Sequence, residues 1–161
     1  MKRPLQLCLL AIAFDLYWTL VVLFRERGLI LWLVLSLLAW WLLSPAHRVS
    51  VVLLAAAGSA MDAFWVVTGL IAFDGGGILP LWMVSLWLMF ATVWARMTYL
   101  STLPGWVLTL MATLGGPVAY WLGKHFGAIT FLAPTFIVAL WMAAGWLTLM
   151  LFFHLLPGRR T

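Results

Sequence analysis

The segment LQLCLLAIAFDLYWTLVVLF, residues 5–24, decides how this chain is read. Twenty residues carry a single charged group, Asp15, near their middle. A helix rises about 1.5 Å per residue and needs roughly 20 apolar residues to cross about 30 Å of hydrocarbon. The segment therefore predicts a membrane-spanning helix, closed by the polar knot Arg25-Glu26-Arg27-Gly28. Its start, Met1-Lys2-Arg3-Pro4 before an apolar run, imitates a signal peptide. The small triplet Ala11-Ile12-Ala13 comes too early for cleavage, however, and the apolar run continues to Phe24, so an uncleaved first span is expected. Leu5-Gln6-Leu7-Cys8 resembles a lipoprotein cleavage site only loosely, because Leu7 stands where a small residue is wanted.

The same pattern recurs outward from that segment. Span two covers about Leu29–Leu43 and stops at Ser44-Pro45-Ala46-His47-Arg48, and span three runs from about Val49 to Phe73. The turn Asp74-Gly75-Gly76-Gly77 follows, since three glycines do not continue a helix cheaply. Span four runs from Pro80 to Leu100 and is closed by Ser101-Thr102-Leu103-Pro104-Gly105. Span five covers Trp106–Leu122, and span six starts near Ile129–Pro134 and ends around Leu156. The expected fold is an all-α integral membrane bundle of about six transmembrane helices, one domain over residues 1–161 with no soluble domain. Composition agrees: 66% of the 161 residues are hydrophobic and 8% charged, with a mean hydropathy of +1.15. Soluble domains are about 45–50% apolar and about 25% charged.

The net charge of +5 and the pI near 10.2 do not imply nucleic-acid binding. The nine Lys and Arg residues are scattered at span ends rather than clustered on one face. With six spans, one side holds Lys2, Arg3, Arg48, Arg96, Arg159 and Arg160, and the other holds Arg25, Arg27 and Lys124 with Glu26 and Asp74. Cytoplasmic loops carry the excess of positive charge. Both termini are accordingly expected in the cytoplasm, and the chain in a cell inner (plasma) membrane. Cys8 is the one cysteine, which excludes an intramolecular disulfide.

Many of the twelve tryptophans lie near span ends, among them Trp82, Trp106 and Trp121, as an interfacial aromatic belt would. Leu81-Trp82-Met83 with Trp87-Leu88 recurs as Leu140-Trp141-Met142 with Trp146-Leu147. The copies sit at different depths in their spans, which points to chance rather than an inverted repeat. The small-residue runs Ala55-Ala56-Ala57-Gly58-Ser59-Ala60 and Ala143-Ala144-Gly145 suit close helix packing.

Charged groups in hydrocarbon are costly and usually face a bundle interior or a polar cavity. Four places fit that description: Asp15, Asp62, Arg96, and the Gly115-Gly116-Pro117 step with Tyr120, Lys124 and His125 beyond it. Arg96 is close enough to the inner end of its span to extend its charge to water. Asp62 and Tyr120 share a depth, with Lys124 and His125 one turn away. An Asp62–Lys124 or Asp62–His125 contact would then offset desolvation of the carboxylate, as a packing lock or as part of a pocket. Asp15 has no base at its depth and is expected either to meet a hydroxyl such as Ser59, Thr92 or Thr113 or to be protonated. Pro117 donates no backbone hydrogen bond and crowds the carbonyl four residues back. After two glycines it predicts a broken fifth helix, either as a packing kink or, as in transporters, at a binding site.

Standard catalytic patterns are missing: there is no HExxH, no GxSxG, no Cys/His cluster and no phosphate-binding glycine loop. His47, His125 and His154 belong to different segments and different sides, so no metal site and no cofactor are expected.

Pro80-Leu81-Trp82, Leu86-Trp87, Phe90-Ala91-Thr92, Gly115-Gly116-Pro117, Tyr120, Gly123 and Gly127-Ala128, with Gly58-Ser59-Ala60-Met61-Asp62 upstream, resemble a bacterial inner-membrane family. That family is catalogued only as domain-of-unknown-function family 2878. The resemblance is strongest from about residue 58 to 128 and carries no established activity. It implies that Asp62 and the Gly-Gly-Pro-x-x-Tyr segment belong together. Members often stand beside genes for cyclopropane fatty-acid synthesis and membrane stress responses, which implies lipid-related work. Three functions stay open: an accessory protein in lipid or envelope homeostasis, a small proton-linked transporter or flippase, and a lipid-modifying enzyme. The expected partners are membrane lipids, with another membrane protein or a second copy of the chain as alternatives.

Overall fold

A computed structural model describes residues 3–155. Six α-helices follow one another: α1 (Arg3–Phe24), α2 (Leu29–Trp41), α3 (Pro45–Val67), α4 (Leu81–Leu100), α5 (Gly105–His125) and α6 (Thr135–Leu155). Two short strands, β1 (Ile71–Phe73) and β2 (Ile129–Phe131), follow α3 and α5. Lys2, Leu156, Arg159 and Arg160, which enter the expectations above, lie outside the described residues.

Among the described residues, five stretches are long and apolar enough to cross a membrane: Arg3–Trp41, Pro45–Val67, Leu81–Leu100, Gly105–His125 and Thr135–Leu155. The first contains both α1 and α2, joined by a single 3-10 turn at Arg25–Gly28. Residues fifteen apart on one straight helix would be about 22 Å apart. Yet the Tyr17 hydroxyl donates to the Trp32 carbonyl at 3.0 Å. The chain therefore folds back at the turn, where Arg25 has a φ of 47° and its carbonyl accepts from Trp32 Nε1 at 2.9 Å. The outside of the bundle is as apolar as its core. Ile30, Val67, Leu140 and Leu155 are each more than two-thirds exposed, which suits a hydrocarbon surrounding.

Charged and polar contacts fix the two ends. Arg25, after α1, pairs with Asp74, after α3, and donates to the Gly127 carbonyl, after α5. At the other end, Thr109 at the start of α5 meets His154 near the end of α6 at 2.8 Å. His47 and Tyr99 stack nearby from α3 and α4. Arg48 donates to the carbonyls of Leu43 and Trp41 and lies over the Trp41 ring, capping the last turn of α2. Arg96 is exposed in the last turns of α4.

Two expected boundaries move. Span three, expected to reach Phe73, ends at Val67, and span six starts at Thr135 rather than among residues 129–134. In both places a glycine stops a helix and a strand follows. At Gly69 (φ 73°), the Leu70 N–H bonds to the Trp65 carbonyl and the Gly69 N–H to Val66. At Gly127 (φ 72°), the Ala128 N–H bonds to Gly123 and the Gly127 N–H to Lys124. This six-to-one and five-to-two pattern is the Schellman cap, which a left-handed glycine makes inexpensive. The strands pair antiparallel, Ile71 with Phe131, Ala72 with Thr130 and Phe73 with Ile129.

The two caps are one sign of an internal repeat. The unit α3–β1–α4 recurs as α5–β2–α6. Gly58, Asp62, Gly69 and Ile71 correspond, 58 positions on, to Gly116, Tyr120, Gly127 and Ile129. Leu81-Trp82-Met83 and Trp87 correspond, 59 positions on, to Leu140-Trp141-Met142 and Trp146. Counterparts meet each other: Ala72 faces Thr130, Tyr120 bonds Asp62, and Trp87 stacks on Trp146 with centroids 5.2 Å apart. Residues that meet their own counterparts lie on a pseudo-two-fold axis. Since α3 and α5 run in the same direction, that axis runs along the bundle, making this a parallel repeat of the kind found in some transporters. The two Leu-Trp-Met copies therefore occupy corresponding places in the two units, and their tryptophans share a depth. The expectation failed because depth was counted from helix starts. The link from β1 to α4 spans residues 74–80, whereas that from β2 to α6 spans only 132–134.

Candidate functional site

The centre of the molecule is built on the axis. Asp62, on α3, is completely buried. Trp87 Nε1, from α4, donates to its Oδ2 at 2.7 Å, and the Tyr120 hydroxyl, from α5, donates to its Oδ1. Both carboxyl oxygens thus have donors where no water is at hand, which a buried polar group requires. Glycines let the aromatic rings come this close. A Cβ at Gly58 would overlap the Trp87 ring, and one at Gly116 would overlap the Trp146 ring. Trp65 meets Tyr120 edge-on with centroids 5.5 Å apart. Gly145 admits Trp65 and Met61 between α3 and α6.

Beside this lock lies a cavity of about 380 Å³, walled by α1, α4 and α5 and reaching Trp146 of α6. Its floor is buried: Trp82, Trp87, Gly116, Tyr120 and Trp146. Its rim is exposed: Asp15 from α1 and Met111, Gly115 and Val118 from α5. Asp15 and Gly115 lie near the middles of their helices. The opening therefore faces sideways out of the bundle at mid-depth, rather than toward either end. Cavities of this size and lining suit small apolar molecules.

The structure joins some of the predicted residues and separates others. Asp62 and Tyr120 bond directly. Lys124 and His125 do not reach Asp62. The Lys124 ammonium lies 4.9 Å over the Phe131 ring, and His125 Nδ1 contacts the Trp121 carbonyl at 2.8 Å. Both lie in the last turn of α5; Lys124 extends to the strand β2, while His125 turns back along its own helix onto Trp121. Asp15 meets none of the expected hydroxyls, and its carboxyl group has no hydrogen-bond partner among the described residues. Thr92 bonds instead to the Leu88 carbonyl.

The fifth helix is not broken. It runs without interruption from Gly105 to His125 with Pro117 inside it. Proline removes one ladder bond without ending the helix, and Trp146 packs on the neighbouring Gly116. Gly115 has no atom within 4 Å of where its side chain would be, and its bareness widens the cavity mouth. Trp87, Trp146 and Gly58 were not singled out as site residues. The signal for them was the spacing itself: Gly58-x-x-x-Asp62 with Trp87, then Gly116-x-x-x-Tyr120 with Trp146. Among the described residues, no group of three His, Cys, Asp or Glu side chains gathers as metal ligands do.

No curated protein and no solved structure matches the chain. A family model does match, over residues 7–152, the span that contains the axis, the lock and all of the cavity lining. The chain belongs to that family, described as a protein of unknown function, DUF2878.

Proposed function

We propose that this chain is a six-span protein of the bacterial inner membrane, with both termini cytoplasmic, that serves lipid or envelope homeostasis by holding an elongated apolar molecule. Six spans are supported by the reversal at Arg25–Gly28, which makes α1 and α2 separate passes. Cytoplasmic termini are supported by the arginines Arg48 and Arg96 at the end away from the strands. The observation that carries the function is the sideways-opening cavity between α1 and α5. A ligand from bulk water would enter from an end of the bundle, whereas a membrane lipid arrives from the side. The Asp62–Trp87–Tyr120 lock beside it keeps the wall in place. The protein then acts as an accessory component rather than an enzyme.

The test is a mass-spectrometric lipid profile of cells lacking the gene, restored with wild type or with Gly115→Leu, which fills the cavity mouth. The expected result is an altered profile that wild type restores and Gly115→Leu does not. Full restoration by an equally abundant Gly115→Leu protein would remove the cavity from the function.

One observation favours a second reading, a proton-linked transporter or flippase. A buried carboxyl group lies where two halves of a parallel repeat meet, a place where transporters hold their coupling sites. In reconstituted vesicles, Asp62→Asn would then abolish pH-dependent flux. Unchanged flux would remove this reading.

A further inference from the structure

Four buried side-chain polar atoms have no hydrogen-bond partner among the described residues: Nε1 of Trp82, Trp94 and Trp146, and Oγ1 of Thr113. The three tryptophans all line the one cavity. Orphaned buried donors are rare and costly, the more so where no water is available.

The repeat shows what is missing at one of them. Trp146 is the counterpart of Trp87. In the first unit, the Trp87 N–H is satisfied by Asp62. In the second unit the counterpart of Asp62 is Tyr120, whose hydroxyl is turned to Asp62 as a donor. The second unit thus keeps the indole donor and has lost its acceptor. Trp146 packs on bare Gly116 at the cavity floor, with Gly115 open beside it. Trp82 and Trp94 are twelve residues apart on α4, about 18 Å along the helix, so the unmet donors are spread through the cavity wall, beneath its surface, rather than converging on a point.

From this we infer that the molecule held in the cavity is a carbonyl-bearing lipid, whose oxygen takes at the Trp146 N–H the place that Asp62 takes at Trp87. The inference rests on the lipid-holding reading above and sharpens it. A pure hydrocarbon would leave the indole donors unmet, and an anion would find no cation in the cavity lining. Two sources supply the chemistry, a fatty-acyl ester and an isoprenoid-type quinone.

The experiment measures binding of radiolabelled methyl palmitate to the full-length protein in detergent, with hexadecane, unlabelled methyl palmitate and decylubiquinone as competitors. Hexadecane is expected to compete at least about tenfold more weakly than a carbonyl compound, the discrimination that one or two hydrogen bonds give. Trp146→Phe keeps an aromatic ring, smaller than the indole, and removes the N–H; it should abolish that preference while hexadecane still competes. Competition by unlabelled ester alone identifies the acyl source, and stronger competition by the quinone identifies the other. If hexadecane matches the carbonyl compounds in wild type, or Trp146→Phe keeps the preference, the acceptor inference is overturned and the cavity reading stands. Gly115→Leu separates the two levels. If it leaves methyl palmitate binding at the wild-type level, or if no probe binds wild type at all, the cavity reading itself fails.

Discussion

The two halves of the repeat share a backbone plan and differ in how tightly they close. Between α3 and α6, Gly145 lets Trp65 and Met61 fill the interface. Between their counterparts, α5 and α4, the corresponding space is the cavity, and α1 supplies its third wall. The axis itself is closed by unlike partners, an acceptor from the first unit and a donor from the second. Pseudo-symmetry thus holds the bundle together, and the departures from it leave room for the cavity. In hydrocarbon, where helices gain little from apolar burial, such packing and interhelical hydrogen bonds are what bind helix to helix.

Substitutions at equivalent positions test this contrast. The largest effect is expected on the axis: Asp62→Ala strands the Trp87 and Tyr120 donors together and should cost about 3 kcal/mol, read from unfolding of the purified protein in mixed micelles. Next come Gly58→Leu and Gly116→Leu, each forcing a ring away from its seat for about 2 kcal/mol. Near-equal losses would sharpen the repeat, and a loss at only one of them would break it. Ala57 and Gly115 are the following pair of counterparts, the first packed against the core and the second bordering open space. Ala57→Leu should cost about 1 kcal/mol through overpacking, while Gly115→Leu should leave stability nearly unchanged and remove ligand binding. Equal effects on stability at both would show that the two interfaces are not different after all. A small loss is also expected at the strand end. Arg25→Ala removes a partly exposed ion pair with Asp74, and should lower stability by about 0.5 kcal/mol, with the loss shrinking in high salt.

The long apolar helices were legible because hydrocarbon demands them, and Asp62 met Tyr120 because rise per residue converts sequence into depth. Lys124 and His125 misled for a reason of side-chain direction. They lie at nearly the right height, but a lysine in a last helical turn has a shorter route to the end of the bundle than to its centre. The strands were hidden because three residues carry no periodicity of their own. Gly115-Gly116-Pro117 reads as a break when the helix is considered alone. Only Trp146, 30 residues further on, shows that Gly116 is bare to receive a ring. The repeat escaped because unequal links, residues 74–80 against 132–134, displaced the helix starts from one another.

The pairing of Asp62 with Tyr120 also bears on how such a molecule can come about. Two identical two-helix chains joined about a dyad would set the residue at this level against its own copy. Two carboxylates there would repel each other, and two phenols would leave no carboxyl acceptor for the neighbouring indoles. Joining the halves through Ser101–Pro104 removes that constraint, because each half then mutates independently. One becomes the acid and the other the phenol, and a tryptophan is released from its old partner. Duplication followed by fusion would therefore yield, from a symmetric dimer with like groups facing each other on its axis, a single chain in which Asp62 takes a donor from each half and the Trp146 donor is left unmet.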